Sequence, residues 1–196
     1  MKRGIFTLVL LLLMTGTCWA ETTWQLAPGR SKLGFRVKHM VFMDVEGRFK
    51  KFEGKVTTPG DDLTATRMVV TIAADSVYTG IKDRDRHLIG EDFFDTAQFP
   101  EITFTSREVT KIMDPNGECY KITGDLTMRG VTKPIILMAK CKSMKTLPNG
   151  QTRMDLVATG TLNRFDYQLQ WNEILETGKA IVGETVDLEL KIALLK

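Results

Sequence analysis

The sequence predicts an all-β protein: one antiparallel sheet of about eight strands, closed into a barrel, with short helical excursions. Three observations predict it. Apolar and polar residues alternate with a period of two over many segments, Gly, Pro, Asn and Asp punctuate those segments, and no long amphipathic helical pattern competes.

In the first clear strand Leu33, Phe35, Val37 and His39 share one face, while Lys32, Arg36 and Lys38 share the other. Met68, Val70, Ile72 and Ala74 repeat the pattern, as do Ile102 and Phe104, then Ile122, Gly124, Leu126 and Met128. The last strand alternates most cleanly, with Val186, Leu188, Leu190, Ile192 and Leu194 set between Asp187, Glu189 and Lys191. Successive strand side chains point to opposite faces, so each of these strands has one dry face and one wet face. Closing such a sheet removes the unpaired edges that an open sheet must protect. A two-sheet sandwich is the alternative arrangement. Two stretches, Thr79 to Phe99 and Gln168 to Gly183, break the period and contain helix-compatible runs. They are expected at a barrel end, as short helices or lids.

The inward face also carries Gly47, Gly54, Gly124, Ala158 and Gly160. A strand glycine marks either a bend or a place left open. Five small residues on one side of several strands favour an internal cavity, since a small barrel filled by side chains needs bulk there.

Residues 1–20 read as a signal peptide: Lys2 and Arg3 open it, an apolar run follows, and small residues at Cys18 and Ala20 suit cleavage after Ala20. Thr15 and Thr17 stand where a lipid-modified cysteine at position 18 would ask for Leu and for Gly or Ala. The expectation is export to the periplasm. Residues 21–196 then form one domain with no transmembrane segment, since no later apolar run approaches the roughly 20 residues a spanning helix needs. The signal holds two of the 27 basic residues and none of the 24 acidic ones, which leaves the exported chain at a net charge of +1. Interspersed charges near neutrality give no electrostatic footprint for nucleic acid.

Cys119 and Cys141 remain after cleavage, in a compartment that permits disulfides. Folding their strands back about Gly130 sets the two opposite one another as a disulfide pair. A register one residue away leaves two separate thiols instead, and register is not fixed by sequence.

Four blocks, in order and at matching spacing, carry a resemblance to a known family. They are "LGFRVKHMVFMDVEGRFKKFEGKV" (Leu33 to Val56), "SVYTGIKDRDRHLIGEDFFDTAQFPEITFTS" (Ser76 to Ser106), "GDLTMRGVTKPIIL" (Gly124 to Leu137) and "NRFDY" (Asn163 to Tyr167). The chain resembles the YceI-like family of periplasmic polyisoprenoid-binding proteins over nearly all of residues 21–196. The resemblance implies a lipocalin-like barrel holding a long isoprenoid lipid or similar amphiphile, an isoprenoid quinone or its precursor included, often in a homodimer. The two cysteines flanking the third block are a departure from the family pattern.

For such a barrel, alternation nominates Phe35, Val37, Phe49, Phe52, Phe104, Leu126 and Leu162 as tunnel lining, with Phe93 and Phe94 near an entrance. His39 shares the apolar face of its strand, where it meets either a ligand head group or a backbone carbonyl at the barrel end. His87 lies among Arg84, Asp85, Asp92 and Asp95, a cluster expected to pin its loop through ion pairs and capping. No catalytic or metal site is expected. A hydrolase would need a nucleophile beside one of the two histidines, and no serine stands in a GxSxG elbow. Two histidines without HExxH or a cysteine cluster offer little to a metal. The expected function is binding and carriage of a long-chain isoprenoid without turnover and without a further cofactor. The alternative is a secreted scaffold or stress-response protein whose lipid is incidental.

Overall fold

The strand with the cleanest alternation, β11 (Val182–Leu195), is the stave on which the barrel closes. The computed structural model describes residues 21–40, 43–59, 63–115, 117–173 and 181–196; the predicted signal segment, residues 1–20, lies outside them.

The strands are β1 (Glu21–Leu26), β2 (Lys32–His39), β3 (Met43–Phe49), β4 (Phe52–Pro59), β5 (Arg67–Ala73), β6 (Val77–Tyr78), β7 (Glu101–Asp114), β8 (Gly117–Met128), β9 (Val131–Thr146), β10 (Thr152–Asn163) and β11; helix α1 (Lys82–Ile89) stands between β6 and β7. All pairings are antiparallel, and eight staves result because three pairs of strands run end to end. β1 and β2 both ladder on β11, at Gln25↔Leu195 and Lys32↔Lys191, with the short 3₁₀ turn Pro28–Arg30 between them. β3 and β4 pair with β2 and β1 respectively, and β6 and β5 pair with β3 and β4. From β7 onward the staves are single long strands.

The joint between β3 and β4 is held by one hydroxyl. Ser76 Oγ accepts from the backbone N–H groups of Lys50 (3.2 Å) and Lys51 (3.0 Å) and donates to the carbonyl of Ala73 (2.7 Å). Donors that leave the ladder at a break must find another partner, and a serine side chain supplies one. Beyond this joint β6 ladders only on β3, so the segment between Thr79 and Pro100, rather than a further strand, completes the wall towards β7. The expected excursion at Thr79 to Phe99 is therefore a helix-bearing lid at one barrel end. The second expected excursion, Gln168 to Gly183, follows the 3₁₀ turn Arg164–Tyr167; among its described residues, 168–173 and 181–183, there is no helix, and Val182 and Gly183 already belong to β11.

Inward-facing positions follow the predicted alternation. They form one core cluster around Phe104, Ile122, Leu126 and Leu137, and a second around Trp24, Leu33, Val56 and Leu194. On the outer face Arg36 bridges Glu46 (3.3 Å) and Glu189 (2.7 Å) across neighbouring strands, an exposed arrangement that contributes little stability.

Of the two alternatives for Cys119 and Cys141, the structure has the separate thiols rather than the disulfide, Cys119 buried and Cys141 exposed. The reason is the turn between β8 and β9. Arg129 (φ 49°) and Gly130 (φ 73°) are both left-handed, the two-residue hairpin geometry that suits twisted strands, and Met128 pairs with Val131. The fold therefore pivots between residues 129 and 130, one register step from a pivot on Gly130 itself. Tyr120 pairs with Ala139, so alternation sets Cys141 on the Tyr120 face of the sheet and Cys119 on the other. Side chains on opposite faces of a sheet cannot be bridged without moving the backbone.

Candidate functional site

The barrel encloses a cavity of about 590 Å³, within the roughly 300–1,000 Å³ range of ligand pockets. Its walls are almost wholly hydrocarbon, and every inward residue of β11 from Val186 to Leu194 borders it. Phe35, Val37, His39 and Phe49 line it from β2 and β3, Phe104, Leu126 and Leu162 from the opposite staves. Phe93 and Phe94 line it from the lid. Phe52 is the exception. It is 8% exposed and packs with Trp24, Leu26, Leu33 and Val56, filling the barrel beside the β3–β4 joint without bordering the cavity.

The small inward residues divide into three kinds. Gly54 and Ala158 border the cavity, although a Cβ on Gly54 would lie only 3.1 Å from Val70 Cγ2, and Gly160 is closed off, a Cβ there meeting the Ile136 carbonyl oxygen at 2.8 Å. Gly47 and Gly124 instead lie beneath aromatic rings: a Cβ on Gly47 would meet Phe35 Cζ at 2.2 Å, and one on Gly124 would meet Phe104 Cζ at 2.5 Å. Phenylalanine thus fills the glycine gaps, and the glycines let the rings lie close to the wall.

The cavity reaches solvent at the lid end. There its lining includes Asp83, whose side chain is 86% exposed, and His87, 41% exposed, together with Thr79, Arg84 and Trp171. The opposite end is floored by Trp24, Thr58, Thr66, Met154 and Leu194, none more than 6% exposed.

Polar bonds fix the lid. Asp85 accepts from the backbone N–H of Thr79 (2.7 Å) and from its hydroxyl (2.6 Å), while Arg84 donates to the Thr79 hydroxyl (2.7 Å) and carbonyl (2.9 Å). Asp95, buried in the tight turn after α1, accepts from Gln98 (2.8 Å). His87 Nε2 lies 2.9 Å from Asp92, and its ring meets Phe93 and Trp171 edge-on at centroid distances of 5.0 and 4.8 Å. The cluster pins its loop, as the sequence reading has it, but not by capping: Ile81, at the N-cap of α1, gives no side-chain cap, and Arg84 and Asp85 both converge on Thr79. His39 borders the cavity near the hairpin joining β2 and β3, and its side chain makes no hydrogen bond among the described residues.

Two arginines that sequence reasoning did not single out fasten the portal end, Arg129 by bonding the lid and Arg164 by bonding the residues that follow its own turn and the start of β11. Arg129, in the β8–β9 turn, donates to the carbonyls of Glu91 (2.6 Å), Phe93 (2.8 Å) and Gln168 (2.9 Å). Arg164 is 3% exposed and donates to the carbonyls of Trp171 (2.9 Å), Gly183 (2.9 Å), Val182 (3.2 Å) and Leu169. Burial pulls its guanidinium below the ordinary arginine pKa, and Glu184 opposes that pull. The only available signal was their place within the recognised blocks, which named no partner. Beside Arg164, Tyr167 is 1% exposed with its hydroxyl unpartnered, and burial pushes its pKa up to about 12.

Among the described residues no cluster of His, Cys, Asp and Glu is placed to hold a metal ion, and no helix is long and apolar enough to cross a membrane. An eight-stranded antiparallel barrel around an apolar cavity with a lidded portal defines a lipocalin-like binding protein in its architecture. The YceI-like domain model matches residues 24–194, and the chain belongs to that family. It is 38% identical over 138 residues to a UPF0312 protein of Photorhabdus laumondii, covering 70% of each chain. The crystal structure of the Campylobacter jejuni YCEI protein superposes with a TM-score of 0.66 at 26% identity, covering 81% of this chain and 89% of that one. A polyisoprenoid binding domain from Saccharophagus degradans, implicated in plant cell wall breakdown, shares the fold with a TM-score of 0.65 at 18% identity, covering 87% and 97%.

Proposed function

We propose that this protein binds and carries a long-chain isoprenoid lipid or similar amphiphile in the periplasm, an isoprenoid quinone or its precursor included, without chemical turnover. The observation that carries the reading is the cavity: about 590 Å³ of hydrocarbon-walled space inside a closed barrel, reached through a polar portal. Burying hydrocarbon contributes about 0.8 kcal/mol per methylene, so a few isoprene units supply the driving force without any specific polar contact. Part of that gain offsets the immobilisation of a flexible chain, and affinity levels off below the area sum.

Phe35, Val37, Phe49, Phe104, Leu126 and Leu162 are the ligand-contacting wall in this reading, with Phe93 and Phe94 at the entrance and His39 facing the lumen. The polyisoprenoid ligand of the Saccharophagus relative accords with it. His87 is engaged with Asp92 and two aromatic rings, a setting that holds a lid rather than activates a nucleophile.

The test is native mass spectrometry of the protein purified from its own cells, followed by organic extraction. A stoichiometric isoprenoid or quinone is the expected result. A folded, empty barrel that takes up no long-chain lipid would overturn the proposal and favour a scaffold.

A further inference from the structure

The cavity's floor differs from its walls in one respect. Thr66 is 6% exposed, lines the cavity, and its hydroxyl is buried without a hydrogen-bond partner. Its backbone N–H closes the short 3₁₀ turn back to the carbonyl of Leu63 (3.4 Å), which holds the residue at the mouth of β5. Thr58, 2% exposed, brings a second hydroxyl-bearing side chain to the same floor. The neighbours that complete the floor, Trp24, Met154 and Leu194, are large and apolar. Buried polar groups are as a rule hydrogen-bonded, and an orphaned hydroxyl facing a cavity is completed by what enters that cavity.

We infer that Thr66 is a specificity-determining residue, which receives the neutral, hydrogen-bonding head group of a lipid inserted head first, with the tail running back towards the portal. The inference rests on the carrier reading and deepens it. A hydroxyl can both donate to and accept from an alcohol, and can donate to a carbonyl or quinone oxygen. Among the described residues no ionisable side chain lines the cavity at this floor, and the ammonium of Lys196 lies over the Trp24 ring (4.6 Å), so an ionised head group would be stripped of water there at high cost. A diphosphate remains at the portal, where Arg84, His39 and His87 line the cavity. The orientation therefore sorts neutral isoprenoids from their charged precursors.

The experiment uses delipidated protein and three probes: geranylgeraniol, the hydrocarbon of the same skeleton, and geranylgeranyl diphosphate. Each is titrated against the wild type and against Thr66→Val and Thr66→Ser. Wild type binds the alcohol more tightly than the hydrocarbon. Thr66→Val, which keeps the side-chain shape, weakens the alcohol by about three- to tenfold, as loss of one hydrogen bond does, and leaves the hydrocarbon and the diphosphate unchanged. Thr66→Ser restores the preference. Unchanged hydrocarbon affinity also shows that the variant barrel is folded. An alcohol preference that survives in Thr66→Val, or is absent from the wild type, overturns the inference while leaving the carrier reading intact. Failure of all three probes to bind the wild type overturns both.

Discussion

The Phe35 ring fills the space that a side chain at Gly47 would need, directly across the β2–β3 ladder, and a Cβ there would lie 2.2 Å from Phe35 Cζ. The pair sets the shape of the cavity: Gly47 lets an aromatic wall residue pack against backbone rather than project into the lumen. Gly47→Ala drives the ring inward, so we expect a loss of about 1–3 kcal/mol by overpacking together with weakened lipid binding. Urea denaturation and lipid titration of the same variant check both. The double variant Gly47→Ala with Phe35→Leu recovers part of the stability, because the two residues act as a unit.

Arg164→Met removes the cation that collects four carbonyls from the segment closing the barrel mouth. Leaving buried acceptors without donors costs about 2–4 kcal/mol in this setting. Hydrogen exchange of residues 168–173 and 182–183 should rise well before the rest of the barrel opens. Faster lipid release from the same variant would show that these residues at the barrel mouth control exit.

Tyr167 provides the pH-dependent test. Its folded pKa of about 12 lies above the ordinary value of 10, so the folded state holds the phenolic proton more tightly than the unfolded chain does. The stabilising contribution is complete below pH 10 and is lost as the pH rises from 10 towards 12. Tyr167→Phe flattens that alkaline decline and costs little at neutral pH, because the hydroxyl it removes has no partner. Denaturation midpoints of both proteins from pH 8 to 11.5 give the comparison.

The two thiols should differ in reactivity by location. Cys141 is exposed, but partial burial raises its thiol pKa, with Asp155 and Glu118 adding to the rise and the Ser143 backbone opposing it. It labels in the native protein, more slowly than a free cysteine at neutral pH, because the thiolate is the reacting form. Cys119 is 1% exposed and labels only on unfolding. Two labels in denaturant without reductant establish the free-thiol state, whereas no labels would restore the disulfide.

The wall of the site was largely legible in the sequence. Phe35, Val37, Leu126 and the inward residues of β11 could be placed because alternation is a local property of an extended chain, visible wherever a strand has one dry face. Phe52 shares that alternation yet misses the cavity, since bordering empty space depends on what neighbouring staves fill. Gly47 and Gly124 were readable as small inward residues, but the rings that cover them belong to other strands.

Sequence by itself determined the period, the all-β class, the excursion after Tyr78 and the family, because each is written in neighbouring residues or in ordered blocks along the chain. The structure alone decided the β8–β9 register that separates Cys119 from Cys141, the carbonyl partners of Arg129 and Arg164, and the orphaned hydroxyl of Thr66. The first follows from the backbone of a two-residue turn, and the others depend on which groups from separate segments meet within hydrogen-bond range or fail to meet. Closure of the barrel sets those distances, and the order of residues along a strand carries no record of them.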